Sequence, residues 1–343
     1  MTLGASWRTT PDVRMDVIDD IGQLVGRTPM LRLGKLFADA PATVLGKLEL
    51  TNPMSVKDRP VKHIIEAALG RGDIAPGTEL VEASSGNTAI AIAMYGAAHG
   101  FPVKIFMSEL VSVERIKILN TFGASVVLTP GAEHTKGARA RAMAYCESRG
   151  GASHFVNQHS NPDNSAAHYA TTGPEIWQQT DGGLHTMIVG LGTSGTVEGL
   201  SRYLKEQNPD VRIVGFEPAS SPVYSGGDMG KHRLIGIGPG FVTDNFERAR
   251  DRVDEIVLVP DDAAFEMTRR LARSEGVMAG VTSGASLWVA EQLMQRPEYA
   301  GATIVSIICD SGERYLSVDG LFPADDVTMW ADEDAQEPAA ATA

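Results

Sequence analysis

The sequence predicts an α/β fold in which mostly parallel sheets are covered on both faces by helices. Three observations carry this. From residue 43 to residue 148, runs of strand length alternate with segments of helical spacing, the signature of strands joined by crossover helices. The same alternation resumes from residue 155 to beyond 320. The chain, at 343 residues, can hold a sizeable core, and its apolar and aromatic content is that of an ordinary α/β enzyme. At this length two domains are expected rather than one.

In chain order, residues 1–12 are expected to be irregular. An amphipathic turn begins at 17–21, and Gly26-Arg27-Thr28-Pro29 punctuates it before a short strand at 30–33. Strands follow at 43–50, 78–83, 103–107 and 125–129, separated by helices at 60–70, 88–98, 113–122 and 137–148. This block, 46–154, is one βα unit after another. The second block has strands at 186–189, 211–216, 255–259 and 303–308, with helices at 196–207, 261–275 and 284–295. The tail, 331–343, is acidic and low in complexity, and disorder is expected there.

A net charge of −13 argues against nucleic acid and anionic membranes as partners. It leaves room for an anionic small substrate, which responds to local charge. Cys146 and Cys309 fit no metal-binding spacing and read as buried thiols of a cytoplasmic protein. The eight histidines show no ligand pattern, so no metal is expected. Arg8, Asp12, Arg14 and Asp16 exclude a signal peptide, and no apolar run approaches the ~18 residues of a membrane span.

One octapeptide, Asn52-Pro53-Met54-Ser55-Val56-Lys57-Asp58-Arg59, organises the chain. It joins a strand to a helix on which Val61, Ile64, Ile65 and Ala68 recur at helical spacing, with Ser55 as the expected N-cap and Gly70 closing the helix. Lys57 then falls in a first helical turn, where a cation opposes the helix dipole. Either an anion compensates it or the amine is neutral, and a neutral lysine is a nucleophile that forms Schiff bases. A solvated Lys-Asp-Arg cluster is the alternative, and two further stretches weigh against it.

Val189-Gly190-Leu191-Gly192-Thr193-Ser194-Gly195-Thr196 follows a strand and opens a helix. Glycines admit a ligand close to the backbone, and the helix N-terminus attracts an anion without needing arginine. Gly190, Gly192 and Gly195 also spell G-x-G-x-x-G, with Glu217 near the offset of a ribose-binding acid. A nicotinamide oxidoreductase therefore competes, although the extra hydroxyls of Thr193, Ser194 and Thr196 and the position beyond mid-chain speak against it.

Ala83-Ser84-Ser85-Gly86-Asn87-Thr88 is a second strand–loop–helix anion site. Two such sites and one unusual lysine describe a cofactor phosphate, a substrate carboxylate and an amine between them. Together these stretches resemble the cysteine synthase family, the β-replacement branch of fold-type-II pyridoxal-phosphate enzymes. The resemblance runs from Gly26-Arg27-Thr28-Pro29 to Asp310-Ser311-Gly312-Glu313-Arg314-Tyr315-Leu316-Ser317. It includes Asn157-Gln158, Asn161-Pro162, His168-Tyr169, Thr171-Thr172-Gly173-Pro174-Glu175 and Ile235-Gly236-Ile237-Gly238.

The resemblance implies two open twisted sheets with the active site in the cleft between them. It implies a smaller mobile domain at 46–154 closing on a larger one built from 13–45 and 155–330, and a homodimer. It makes Lys57 the Schiff-base lysine that also moves the α-proton, and Asn87 the neighbour of the cofactor's 3′-oxygen. Ser84, Ser85, Gly86 and Thr88 would take the substrate carboxylate with Gln158. Gly192, Thr193, Ser194, Gly195 and Thr196 would hold the phosphate, and Thr282, or Ser283 if the register slips by one, would face the pyridine nitrogen. Gly236 lies in a loop over the active site, and Arg233 beside it is a candidate grip for a phosphate leaving group.

The implied reaction is β-replacement on O-acetylserine or O-phosphoserine through an aminoacrylate, with a small nucleophile, giving L-cysteine or a related β-substituted alanine. A neutral hydroxyl at the ring nitrogen suits that chemistry, because it leaves the ring a weaker electron sink. A serine/threonine dehydratase of the same fold is the alternative, and Asn87-Thr88, where dehydratases tend to carry Asn-His, argues against it. Two departures bear on the pocket: Met54 alone separates Pro53 from Ser55, where the family has two residues, and Thr282 stands where the family usually has serine.

Overall fold

The apolar runs sort into two sheets in the computed structural model, which describes residues 17–323. The expected irregular residues 1–12 and acidic tail 331–343 lie outside the described residues. The strands in chain order are β1 (Met30–Arg32), β2 (Thr43–Lys47), β3 (Glu79–Ala83), β4 (Val103–Ser108), β5 (Ser125–Thr129), β6 (Ser153–Phe155), β7 (Thr186–Gly190), β8 (Arg212–Pro218), β9 (Glu255–Val259) and β10 (Thr303–Ile307). The helices are α1 (Asp58–Arg71), α2 (Asn87–His99), α3 (Val113–Thr121), α4 (His134–Arg149), α5 (Pro162–Ala167), α6 (Gly173–Gln179), α7 (Gly195–Gln207), α8 (Asp244–Ala249), α9 (Asp261–Glu275) and α10 (Val281–Leu293).

The larger sheet runs β1-β2-β10-β7-β8-β9 and is parallel except for β1. The smaller runs β5-β4-β3-β6, all parallel. The period of two that a strand imposes divides their cores. Val305, Met187 and Ile213 stand in register and face the α7 side, whereas Ile188 and Val214, one residue on, face α9 and α10. In the smaller sheet Leu80 and Val103 pack under α1 and α2, while Ala83 and Phe106 face α4. Parallel strands buried on both faces follow.

Two strands touch the expected block boundaries. β2 spans residue 46 yet pairs with β10, so it belongs to the larger sheet, and β6 runs to Phe155 as an edge of the smaller one. Helices α5, α6 and α8, and the π-helical turn His168–Thr172, have no counterpart in the sequence reading. No helix among the described residues is long and apolar enough to cross a membrane.

Both glycine-rich turns lie at carboxyl ends of strands. Residues 84–86 link β3 to α2, and 191–194 link β7 to α7. They face each other across a cleft of about 740 Å3 between the two sheets, where an open α/β fold places its ligands.

Candidate active site

Lys57 enters the cleft because the turn before α1 is tied down by its own side chains. Asp58 Oδ2 accepts from Met54 N at 2.6 Å and Ser55 N at 3.1 Å, and Ser55 Oγ accepts from Lys57 N at 3.2 Å. Helix α1 begins at Asp58, which leaves Lys57 itself at the capping position. Ser55 is therefore not the cap that the sequence predicts: it lies two residues ahead of it, and its hydroxyl is spent on the N–H of the cap residue, Lys57. Nor does Gly70 close the helix. Gly72 does, at φ +77°, the left-handed conformation that glycine adopts without strain.

Burial pushes the Lys57 amine below its ordinary 10.5, against the opposing pull of Cys309 and Asp310. Of the two sources of relief the sequence leaves open, desolvation wins over the nearby anion. Cys309 lines the same cleft, its thiol pushed up to about 12 by burial. Both cysteines are partly accessible rather than fully buried.

The start of α7 is built for an anion. Its first N–H groups have no partner within the helix, and Gly192, Thr193, Ser194 and Thr196 line the cleft. Ser194 adopts φ +62°. A Cβ on Gly195 would lie 2.0 Å from Asn164 Oδ1, and one on Gly192 would lie 2.7 Å from Gly236 O. Asn164 Nδ2 donates to Gln158 O and Thr193 Oγ1, and Asn245 Nδ2 donates to Gln158 O and Thr193 O. Tyr224 OH donates to Gly192 O at 2.6 Å. His168, kept neutral by burial and then by Lys57 and Arg59, bridges Thr172 Oγ1 and Thr196 Oγ1.

Across the cleft, Ser84, Ser85, Gly86, Asn87 and Thr88 surround the start of α2. Arg115 Nη1 donates to Ser85 O, and Thr88 Oγ1 donates to Gln158 Oε1 at 2.5 Å. Glu82, wholly buried behind the loop, accepts from Ala83 N and Gln158 N. Burial lifts its carboxyl to about 7 in spite of those bonds.

Thr282 Oγ1 donates to Ile235 O at 2.9 Å and lines the cleft next to Gly236. Ser283 instead accepts from Cys309 N and lies outside the lining.

Among the expected site residues Gly195 lies behind the lining, between Ser194 and Thr196, and Arg233 is turned away from the cleft. Its guanidinium pairs with Asp262, its N–H donates to Asp261 Oδ2, and it lies 4.5 Å over the Phe265 ring, all on α9. Two carboxylates and an aromatic face outside the cleft hold it there, and Lys231 and His232 line the cleft instead. Glu217 is not a ribose ligand either. It is fully buried, and both its oxygens accept backbone N–H groups, from Tyr224 and Ser225.

Sequence reasoning missed Glu82, Asn164, His168, Tyr224 and Asn245, each of which holds a cleft residue from behind. Only His168 lay in a stretch that had been singled out. Among the described residues no group of three or more His, Cys, Asp or Glu could hold a metal.

A desolvated amine, two helix N-termini and the uncharged Thr282 hydroxyl line one cleft. These residues fit pyridoxal phosphate: an amine for its aldehyde, N–H groups for its phosphate. The fold and the site together define a cofactor-dependent enzyme acting on amino acids.

The pyridoxal-phosphate dependent enzyme family matches residues 21–310. The chain is 41% identical to a cysteine synthase of Staphylococcus aureus over 312 residues, 90% of this chain and 98% of the relative. The crystal structure of a cysteine synthase from Entamoeba histolytica superposes with a TM-score of 0.87 at 37% identity, over 94% of this chain and 95% of that one. An O-ureido-L-serine synthase superposes at 0.86 and 34% identity, over 92% and 98%. The protein belongs to the pyridoxal-phosphate-dependent enzymes, in their cysteine synthase family, and pyridoxal 5′-phosphate is its cofactor.

Proposed function

We propose that this enzyme catalyses β-replacement on an O-activated L-serine, O-acetylserine in the first place, and gives L-cysteine or a related β-substituted alanine. The observation that carries this is the desolvated Lys57 amine between the two anion-binding turns, opposite the uncharged Thr282. Bound pyridoxal phosphate supplies an aldehyde for the substrate's amino group and a ring that takes up electrons from its α-carbon.

The protein's part follows from its residues. The N–H groups at the start of α7, with Thr193, Ser194 and Thr196, would hold the phosphate. The Ser84–Thr88 turn binds the substrate carboxylate at the start of α2, and Gln158, tethered to Thr88, braces it. Lys57 Nζ takes the proton from the α-carbon, for which a neutral amine is required. Thr282 presents a hydroxyl where a carboxylate would keep the ring nitrogen protonated. With an uncharged hydroxyl there, a bound ring would be a weaker electron sink, which suits loss of the β-substituent.

The nucleophile is where relatives diverge, since a neighbour of nearly equal similarity is an O-ureido-L-serine synthase. Sulfide is our first choice because of the cysteine synthases. A homodimer belongs to the same reading and is checked by sedimentation at micromolar concentration. The decisive assay supplies O-acetylserine and sulfide to the loaded enzyme and follows cysteine and pyruvate together. Cysteine should dominate. Pyruvate, with acetate and ammonia, as the main product whatever nucleophile is supplied would make the enzyme an eliminating lyase, and the same product from L-serine a dehydratase.

A further inference from the structure

The segment after β10 carries side chains that the proposed reaction leaves unused. Asn87 opens α2 at the cleft, and its carboxamide is gripped at both ends. Arg314 Nη1 donates to Asn87 Oδ1 at 2.8 Å, and Asn87 Nδ2 donates to Asp310 Oδ2 at 2.6 Å. A guanidinium has only donors and an ionised carboxylate only acceptors, so the two bonds fix which end of the amide is oxygen. Burial raises the Asp310 carboxyl, yet its Oδ2 accepts twice, from Asn87 Nδ2 and from Tyr315 OH, so the amide end facing it is the NH2 in either protonation state. Turning the amide over would set carbonyl against carboxylate and NH2 against guanidinium. One Asn87 N–H remains uncommitted, and Asn87 lines the cleft together with Lys57.

Arg314 holds a second element. Its Nη2 donates to Met54 O at 2.7 Å and lies 3.5 Å from Met54 Sδ. Met54 is the residue of the shortened turn leading to Lys57, and Ser55 of that turn bridges to the backbone of Asp310. A single guanidinium thus spans residues 260 and 227 positions away in the chain.

We propose that Arg314 is a positioning residue. With Asp310 it locks the Asn87 amide so that the remaining N–H serves the cofactor's ring oxygen, and it sets that amide against the turn that carries Lys57. The proposal rests on the reading of the cleft as a pyridoxal-phosphate site.

The test is a double-mutant cycle on cofactor binding to apo-protein, with Arg314→Met, Asn87→Ala and the double variant. Absorbance titration gives Kd for pyridoxal phosphate, and a pH titration of the bound cofactor gives its spectral midpoint. Arg314→Met is expected to weaken Kd about ten- to a hundredfold and to shift the midpoint, as loss of a charge-assisted anchor would. In the Asn87→Ala background its effect should be several-fold smaller, because it acts mainly through Asn87 and only its bond to Met54 O is left to lose. Additive losses, or an Arg314→Met variant with unchanged Kd and midpoint, overturn the proposal. Should Arg314→Met not fold, Arg314→Lys enters the cycle, since one ammonium lacks the fork that reaches both partners. A wild type that binds no pyridoxal phosphate overturns the reading of the cleft and this proposal with it. Additive losses in a wild type that does bind overturn the proposal alone.

Discussion

An ammonium group taken from water loses hydration that neighbours must restore, and around Lys57 they do not restore it. Burial lowers the amine's pKa by more than Cys309 and Asp310 raise it, and the net shift favours the neutral form that the proposed Schiff-base and proton-transfer roles need. Lys57→Ala should therefore lose both covalent attachment of the cofactor and turnover, since one amine supplies both. Borohydride reduction followed by peptide mapping checks this, and a label on any other lysine would displace Lys57 from the role. Arg233→Ala should change kcat/KM by less than about twofold for both O-acetylserine and O-phosphoserine, because its guanidinium is held on α9 outside the cleft. A selective loss with O-phosphoserine would mean that the guanidinium leaves Asp261 and Asp262 for the cleft. The placement of Lys57 and Asn87 at one cleft was legible in the sequence because each stands in a short local motif. Arg314 and Glu82 were not, because their partners are brought to them only by the fold.

At the scale of elements, the site is two helix N-termini aimed at one cleft, and the α7 cradle has no spare room. Asn164 sits against Gly195 while bonding Gln158 O and Thr193 Oγ1. Gly195→Ala must push a buried amide off two partners, at a cost of roughly 1–3 kcal/mol in stability. It should also weaken pyridoxal-phosphate binding about tenfold or more. Thermal melts of apo-protein and cofactor titration measure the two effects, and full affinity in a folded variant would move the phosphate elsewhere. The long periodic elements, such as α9 and β9, were legible to the residue. Helices α5, α6 and α8, of six or seven residues, complete too few turns to show a period. The start of α1 differs from the sequence expectation because Ser55, a good cap by residue type, bonds the N–H of the cap residue Lys57 rather than one inside the helix.

At the scale of the molecule, a buried charge cluster joins the larger sheet to the helix that carries the active-site turn. Glu175 of α6 meets Lys47 of β2 and Arg59 of α1, each at 2.7 Å, and Arg59 also holds Glu49. Burial alone would raise the Glu175 carboxyl, but Arg59 and then Lys47 overcome that and hold it at about 2. Lys47 responds in the opposite sense, its amine lowered by burial in spite of Glu175. We assign the stabilisation to Arg59, which stays charged at every working pH. An acid with a depressed pKa stabilises the fold above its ordinary value of 4.5, and that contribution is lost as pH falls toward about 2. About 3 kcal/mol should disappear across this window, from 1.36 kcal/mol per unit. Glu175→Gln should flatten the acid limb of stability and cost roughly 3 kcal/mol at neutral pH, where it leaves buried cations undercompensated. Urea unfolding at intervals between pH 2.5 and 7 measures both. An acid limb of unchanged slope in the variant would assign the acid sensitivity to other carboxylates and leave this cluster a packing contact.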